Sequence, residues 1–137
     1  MKHLIVLLLL AASAATYAEH PAVEQRQQLF EEIEEQTDYL EQSVDDEHWS
    51  EVETTALKLD QQIQRLLTLF PPESSGEGRS RKAVWRHWDA FERDMMSWQM
   101  AYRDIAAAAV AEVSNEDALD QISSACRSCH RKYRSLW

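Results

Sequence analysis

Residues 49–72 read WSEVETTALKLDQQIQRLLTLFPP. The apolar positions Trp49, Val52, Ala56, Leu59, Ile63, Leu66 and Phe70 are spaced alternately three and four apart, which places them on one face of an α-helix, and Pro71-Pro72 ends it. Such a stripe is stable only against other helices, and the flanking sequence supplies them. Upstream, Pro21 suits a first helical turn, and Val23, Phe30, Ile33, Leu40 and Val44 form one stripe if Arg26 and Thr37 are admitted to it. Those two polar intrusions require an explanation. Downstream, Pro71 to Ser80 gathers two prolines and both glycines into the one clear long loop. Beyond it Trp85, Trp88, Phe91, Met95, Trp98, Tyr102, Ile105 and Ala109 repeat the helical spacing with an unusually aromatic face, suited to something large and flat or to ordinary core packing. Ser114 and Asp117 read as a capping box before a last helix marked by Leu119, Ile122, Cys126, Cys129 and Tyr133. Four amphipathic helices with one long and two short connections predict an all-α, antiparallel up-down four-helix bundle with a cofactor site between facing helices. With 137 residues, two glycines and three prolines, the chain has the size of one domain and too few turn formers for an all-β fold.

The first eighteen residues stand apart. Lys2 and His3 precede the apolar run Leu4 to Leu10, and small residues lead to Ala18, the pattern of a cleaved secretory signal peptide. The run falls short of the roughly 20 residues of a membrane-spanning helix. The expectation is therefore a signal at 1–18 and a single periplasmic domain at 19–137, with no membrane attachment after cleavage. Fourteen Lys and Arg against twenty-four Asp and Glu give a net charge of −10, which repels a phosphate backbone and excludes nucleic acid as a partner.

Cys126-Arg127-Ser128-Cys129-His130 is C-x-x-C-H, the attachment pattern of haem c. Each thiol can add to one porphyrin vinyl group, and the adjacent histidine then serves as the axial ligand of the iron. On a helix, positions 126, 129 and 130 share a face. A thioredoxin-like pair would need a βαβ context, of which there is no sign. A structural zinc site would need four ligands, and the other histidines are scattered at 20, 48 and 87. A covalent haem would also use the aromatic face around Trp98, and its propionates would need a cation such as Arg26. The alternative for Arg26 is a snorkelling side chain with its charge in water.

These residues resemble cytochrome c prime, the class II c-type cytochromes. The resemblance spans residues 19–137 and is most specific at Cys126 to Arg134, similar to the family ending C-x-x-C-H-x-x-[YF]-R. Trp85, Phe91 and Trp98 resemble its W-x5-F-x6-F pattern, with tryptophan in the last place, and Arg26-Gln27 resembles its Arg-Gln pair. The stretch before the haem motif, glycine-rich in the family, here reads Ile122-Ser123-Ser124-Ala125. The resemblance implies a covalent haem c held by Cys126 and Cys129, with His130 as the only strong protein ligand of the iron. It implies Phe30 on the distal face, Arg26, Gln27 and Arg134 in the propionate and proximal surroundings, and Trp85, Phe91, Trp98 and Tyr133 as haem packing. Arg134 equally suits a cation at a helix C-terminus. Low-spin members take a methionine from the first helix, which has none here; Met95 on the third helix reads as core, and His87 sits beside its stripe.

Two functions follow. One is a non-enzymatic pentacoordinate haem protein that binds nitric oxide and carbon monoxide at a hindered site, since no distal acid-base pair is visible for turnover. The other is a low-spin electron carrier with a sixth protein ligand, docking a periplasmic redox partner through Arg127, Arg131, Lys132 and Arg134. Family members often form homodimers through their first two helices. In this chain, the acids Glu31, Glu32, Glu34, Glu35, Asp38 and Glu41 oppose a symmetric contact there unless they point outward.

Overall fold

The computed structural model describes residues 18–136, so the expected export signal lies outside the described residues except for Ala18. Among them the chain forms α1 (Pro21–Asp45), α2 (Trp49–Leu67), α3 (Ala83–Arg86), α4 (Trp88–Val110) and α5 (Glu116–Tyr133), with one 3-10 turn at Pro72–Ser74. The four long helices build an antiparallel bundle. In each packed pair, contacts rise along one helix as they fall along the other. Tyr39 meets Glu51 at 2.7 Å and Glu32 meets Gln62 at 3.2 Å, while Ser97 meets Gln121 at 2.9 Å and Asp94 meets Lys132 at 2.9 Å. The central pair is α2 and α4, with α1 packed on α2 and α5 on α4. Leu40, Ala56, Leu59, Ile63, Leu66, Ala101 and Tyr102 are wholly buried among them.

The helix ends differ from the expected ones for local reasons. His20 caps α1, its Nδ1 accepting from the Ala22 N–H at 3.1 Å just ahead of Pro21. α2 ends at Leu67, capped by Thr68, so Phe70 lies beyond the helix although it remains a core residue. The expected third helix is interrupted at His87, whose non-helical backbone (φ −127°, ψ 44°) separates α3 from α4. Trp85 explains the break: its indole Nε1 donates to the carbonyls of Phe70 and Pro71 at 3.1 and 3.2 Å, tying α3 to the loop while α4 follows the bundle axis. The N-cap of α5 is Asn115, one residue after the expected Ser114; its side chain accepts from the Ala118 N–H at 3.1 Å.

The long loop crosses the end of the bundle and is fixed on both sides. Ser80 and Arg134 form an antiparallel bridge, flanked by Arg81 N–H to Tyr133 O at 2.8 Å and Ser135 N–H to Arg79 O at 2.7 Å. On the other side Gly78, at φ 61°, lies so close to α1 that a Cβ would come within 2.6 Å of Val23 and 2.9 Å of Gln27. Both the dihedral and the space demand glycine. Among the described residues no helix is long and apolar enough to cross a membrane.

Candidate functional site

α1 and α5 face each other across a cavity of about 860 Å³, backed by Met95 and Trp98 of α4 and closed at one end by Phe70, Arg79, Ser80 and Val84. That volume is within the roughly 300–1,000 Å³ of small-molecule and cofactor sites.

The α5 wall carries Cys126, Cys129, His130, Tyr133 and Arg134. The helical turn brings the two thiols and the imidazole to one side, as their spacing predicts. Both cysteines are free and half-buried. Burial pushes the Cys129 thiol up to about 11 and raises Cys126 as well, so both are neutral thiols at physiological pH. His130 is held below its ordinary value by burial and then by the Arg134 cation one turn on, which keeps its ring nitrogens available as a neutral ligand. Among the described residues no group of three or more His, Cys, Asp or Glu is arranged to hold a metal ion directly, as a zinc site would be, and there is no βαβ unit for a redox pair.

The α1 wall carries Arg26, Gln27, Phe30, Ile33 and Thr37, with Glu31, Glu34, Asp38 and Glu41 along its rim. The two polar intrusions are thereby explained. Arg26 is only 1% exposed, so it does not snorkel. Its guanidinium donates to Leu69 O at 3.3 Å, Ser74 Oγ at 2.9 Å and Glu77 O at 2.8 Å. The Phe70 and Trp85 rings lie 5.1 and 5.5 Å from its central carbon. Burial lowers its pKa, yet it stays far above neutrality as any arginine does. Thr37 bonds the Ile33 carbonyl at 2.7 Å and the buried Tyr102 hydroxyl at 2.6 Å.

Nine of the residues singled out in the sequence therefore share one cavity: Arg26, Gln27, Phe30, Trp98, Cys126, Cys129, His130, Tyr133 and Arg134. Trp85 and Phe91 do not reach it. Phe91 stacks edge-on against Phe70 and Tyr133, with centroids 4.9 and 5.1 Å away, and so supports the lining from behind. Trp85 lies on the far side of Phe70 over Arg26. His87 is exposed at the α3–α4 break and outside the cavity, whereas Met95 is a core residue that also lines it. Sequence reasoning missed Arg79, Ser80 and Val84, which reach the site only because the loop pairs with the end of α5. Ile33 and Ile122 were legible as core but not as cavity wall.

The sequence profile of cytochrome c′ matches residues 21–134. The chain belongs to the cytochrome c′ family. It is a class II c-type cytochrome, and the cofactor of cytochrome c′ is covalent haem c. The residues present fit that group: an aromatic and aliphatic cavity, two free thiols beside a neutral imidazole, and a Trp98 indole N–H buried against the lining without a hydrogen-bond partner. Among solved structures, cytochrome c′ of Thermochromatium tepidum is 18% identical with a TM-score of 0.73, covering 86% of this chain and 99% of its own. Cytochrome c′ of Rubrivivax gelatinosus is 21% identical with a TM-score of 0.71, covering 83% and 94%. A nitric oxide complex of a variant of the Alcaligenes xylosoxidans cytochrome c′ is 21% identical with a TM-score of 0.72, again covering 83% and 94%. At these identities the likeness is one of fold. No curated protein sequence matches the chain.

Proposed function

We propose that this cytochrome c′ is a pentacoordinate, high-spin haem protein of the periplasm that binds small neutral gases, nitric oxide and carbon monoxide, without dedicated turnover. Cys126 and Cys129 would hold the haem through thioether bonds and His130 would be its axial ligand. The haem supplies an iron centre with an open position for a diatomic ligand. The observation that carries this reading is the composition of the wall opposite His130. Across the cavity α1 presents Phe30, Ile33 and Thr37, with Glu34 at the rim, and no methionine or histidine, so that wall offers the iron neither a thioether nor an imidazole. Phe30, half-buried there, would set the steric threshold for a ligand. Gln27, Arg134 and whatever donor capacity Arg26 retains would meet the propionates. The Alcaligenes xylosoxidans neighbours solved with nitric oxide support a gas as ligand. The pattern of residues 1–18 supports export.

A second reading, a low-spin electron carrier, rests on Met95, whose thioether lines the cavity. Optical spectra of the holoprotein, ferric and ferrous, with and without carbon monoxide, separate the two. High-spin bands and a new carbonyl complex are expected. Low-spin bands indifferent to carbon monoxide would overturn the proposal and implicate Met95.

A further inference from the structure

Residues 79–88 and 127–136 contain eight of the chain's fourteen Lys and Arg and none of its twenty-four Asp and Glu. The fold joins these two segments. The bridge between Ser80 and Arg134, with the backbone bonds on either side of it, lays the loop cations Arg79, Arg81 and Lys82 beside the α5 cations Arg131 and Arg134. The Arg81 guanidinium reaches the Arg131 carbonyl at 3.4 Å. Arg86 extends the same end, whereas the Arg127 guanidinium turns back along α5 to the Ser123 and Ser124 hydroxyls at 2.7 and 3.4 Å; all of these cationic side chains are exposed. The sequence pattern alone assigns cations only to α5; the bridge doubles the patch.

Ordinary structural duties do not use up this charge. Lys132 is paired with Asp94 at 2.9 Å. The C-terminus of α5 presents roughly half a negative charge. The two propionates of a haem would take two more cations. Several positive charges remain on a chain of −10, gathered at the end of the bundle where Arg79 and Arg134 also line the cavity. The acids on the cavity rim, Glu31, Glu34, Asp38 and Glu41, all belong to α1, across the cavity from these cations.

We propose that this end of the bundle is a docking face for an acidic electron-transfer protein. The proposal rests on the gas-binding reading in one respect: carbon monoxide binds ferrous iron, so a one-electron donor must supply that state. One electron passes from the partner's reduced centre to the ferric iron, the donor is oxidised by one, and no bond is made or broken. The local field, opposite in sign to the net charge, selects an acidic surface and orients it with the cavity end facing the donor.

The test uses the holoprotein and two anionic probes. Poly-L-glutamate, titrated calorimetrically at 20 mM ionic strength, is expected to bind the wild type, and R81E/R131E is expected to lose that binding; both positions are exposed and outside the cavity lining. Hexacyanoferrate(III), oxidising the ferrous protein by one electron, is expected to react on the order of tenfold more slowly at 200 mM than at 10 mM ionic strength, as screening removes a local attraction. A rate that rises with salt would mean that the net charge governs approach and would overturn the proposal, even if the double variant failed to fold. Absence of poly-L-glutamate binding alongside charge-dependent binding to phosphatidylglycerol vesicles would overturn it in favour of a membrane surface. Either failure leaves the carbon monoxide spectrum, and with it the gas-binding reading, unaffected.

Discussion

Replacing Arg26 by methionine keeps an unbranched stem between the Phe70 and Trp85 rings and removes the guanidinium that ties α1 to the loop. Three acceptors lose their donor: Leu69 O, Ser74 Oγ and Glu77 O. Glu77 is partly exposed and can turn to water, whereas Ser74 and Leu69 are buried. Leaving two buried acceptors under-satisfied costs about 1–3 kcal/mol each, and the lost ring contacts add about 0.5–2 kcal/mol. Against this, the variant no longer desolvates a cation, which returns several kcal/mol. The expected net loss is about 3 kcal/mol, or roughly 12 °C in Tm for a domain of this size. It is measured by urea unfolding of the holoprotein followed by far-ultraviolet circular dichroism. Hydrogen exchange gives the local readout: the Arg81 amide, bonded to Tyr133 O, should lose protection first because the loop is released from α1. Arg26→Lys should rescue little, since an ammonium cannot span three divergent acceptors as a planar fork does. A loss below about 1 kcal/mol, the range of surface substitutions, with loop protection unchanged would refute the argument and leave Arg26 as a cation held for the cofactor alone.

The remaining expectations concern the cavity. Cys126→Ala with Cys129→Ala should render haem extractable by acid butanone and increase amide exchange along residues 123–132; covalent haem in the double variant would exclude these thiols as the attachment points. Phe30→Ala should speed carbon monoxide association by roughly tenfold, corresponding to about 1.4 kcal/mol of steric barrier, and an unchanged rate would place Phe30 away from the ligand path. Burial holds the Tyr102 hydroxyl well above the usual tyrosine range. The folded state therefore keeps a proton that the unfolded chain releases above about pH 10, so stability is full below that pH and falls as pH rises beyond it. Tyr102→Phe should reduce the slope of urea stability between pH 10 and 11 by about 1 kcal/mol per pH unit, and parallel pH profiles of the two proteins would show that the hydroxyl ionises in the native state.

The elements with local signals were legible. The three-and-four spacing of α2, the proline pair behind it and the C-x-x-C-H turn each state their role within a few residues. Arg26 and Thr37 announced themselves as intrusions on an apolar stripe, but their partners lie elsewhere in the chain. Ser74 is 48 positions from Arg26 and Tyr102 is 65 from Thr37, so no pattern within α1 could reveal them. The split of the third helix at His87 was hidden for the same reason. Trp85 continues the stripe of α4 in spacing, while its indole N–H is claimed by carbonyls of the preceding loop. Arg79 and Ser80 carry no signal at all, because a backbone bridge selects positions by geometry rather than by side chain.

The cavity itself follows from where α5 stops contributing core. Its buried residues are Ala118, Ile122 and Tyr133, leaving almost three turns between Ile122 and Tyr133 without one. That interval contains Ser123, Ser124 and Ala125, too small to reach α1, and then the two cysteines and His130. A helix of 18 residues with so little buried surface is held marginally by its own packing. The loop compensates at one end, through the Ser80–Arg134 bridge and the Asp94 contacts to Lys132 and Tyr133. A covalent haem held by the two cysteines would compensate along the middle, because it would supply the apolar surface that small residues leave out. Substituting large aliphatic residues at 123–125 would tighten the bundle and close the site, so the weak core of α5 and the space for haem are one feature of the sequence.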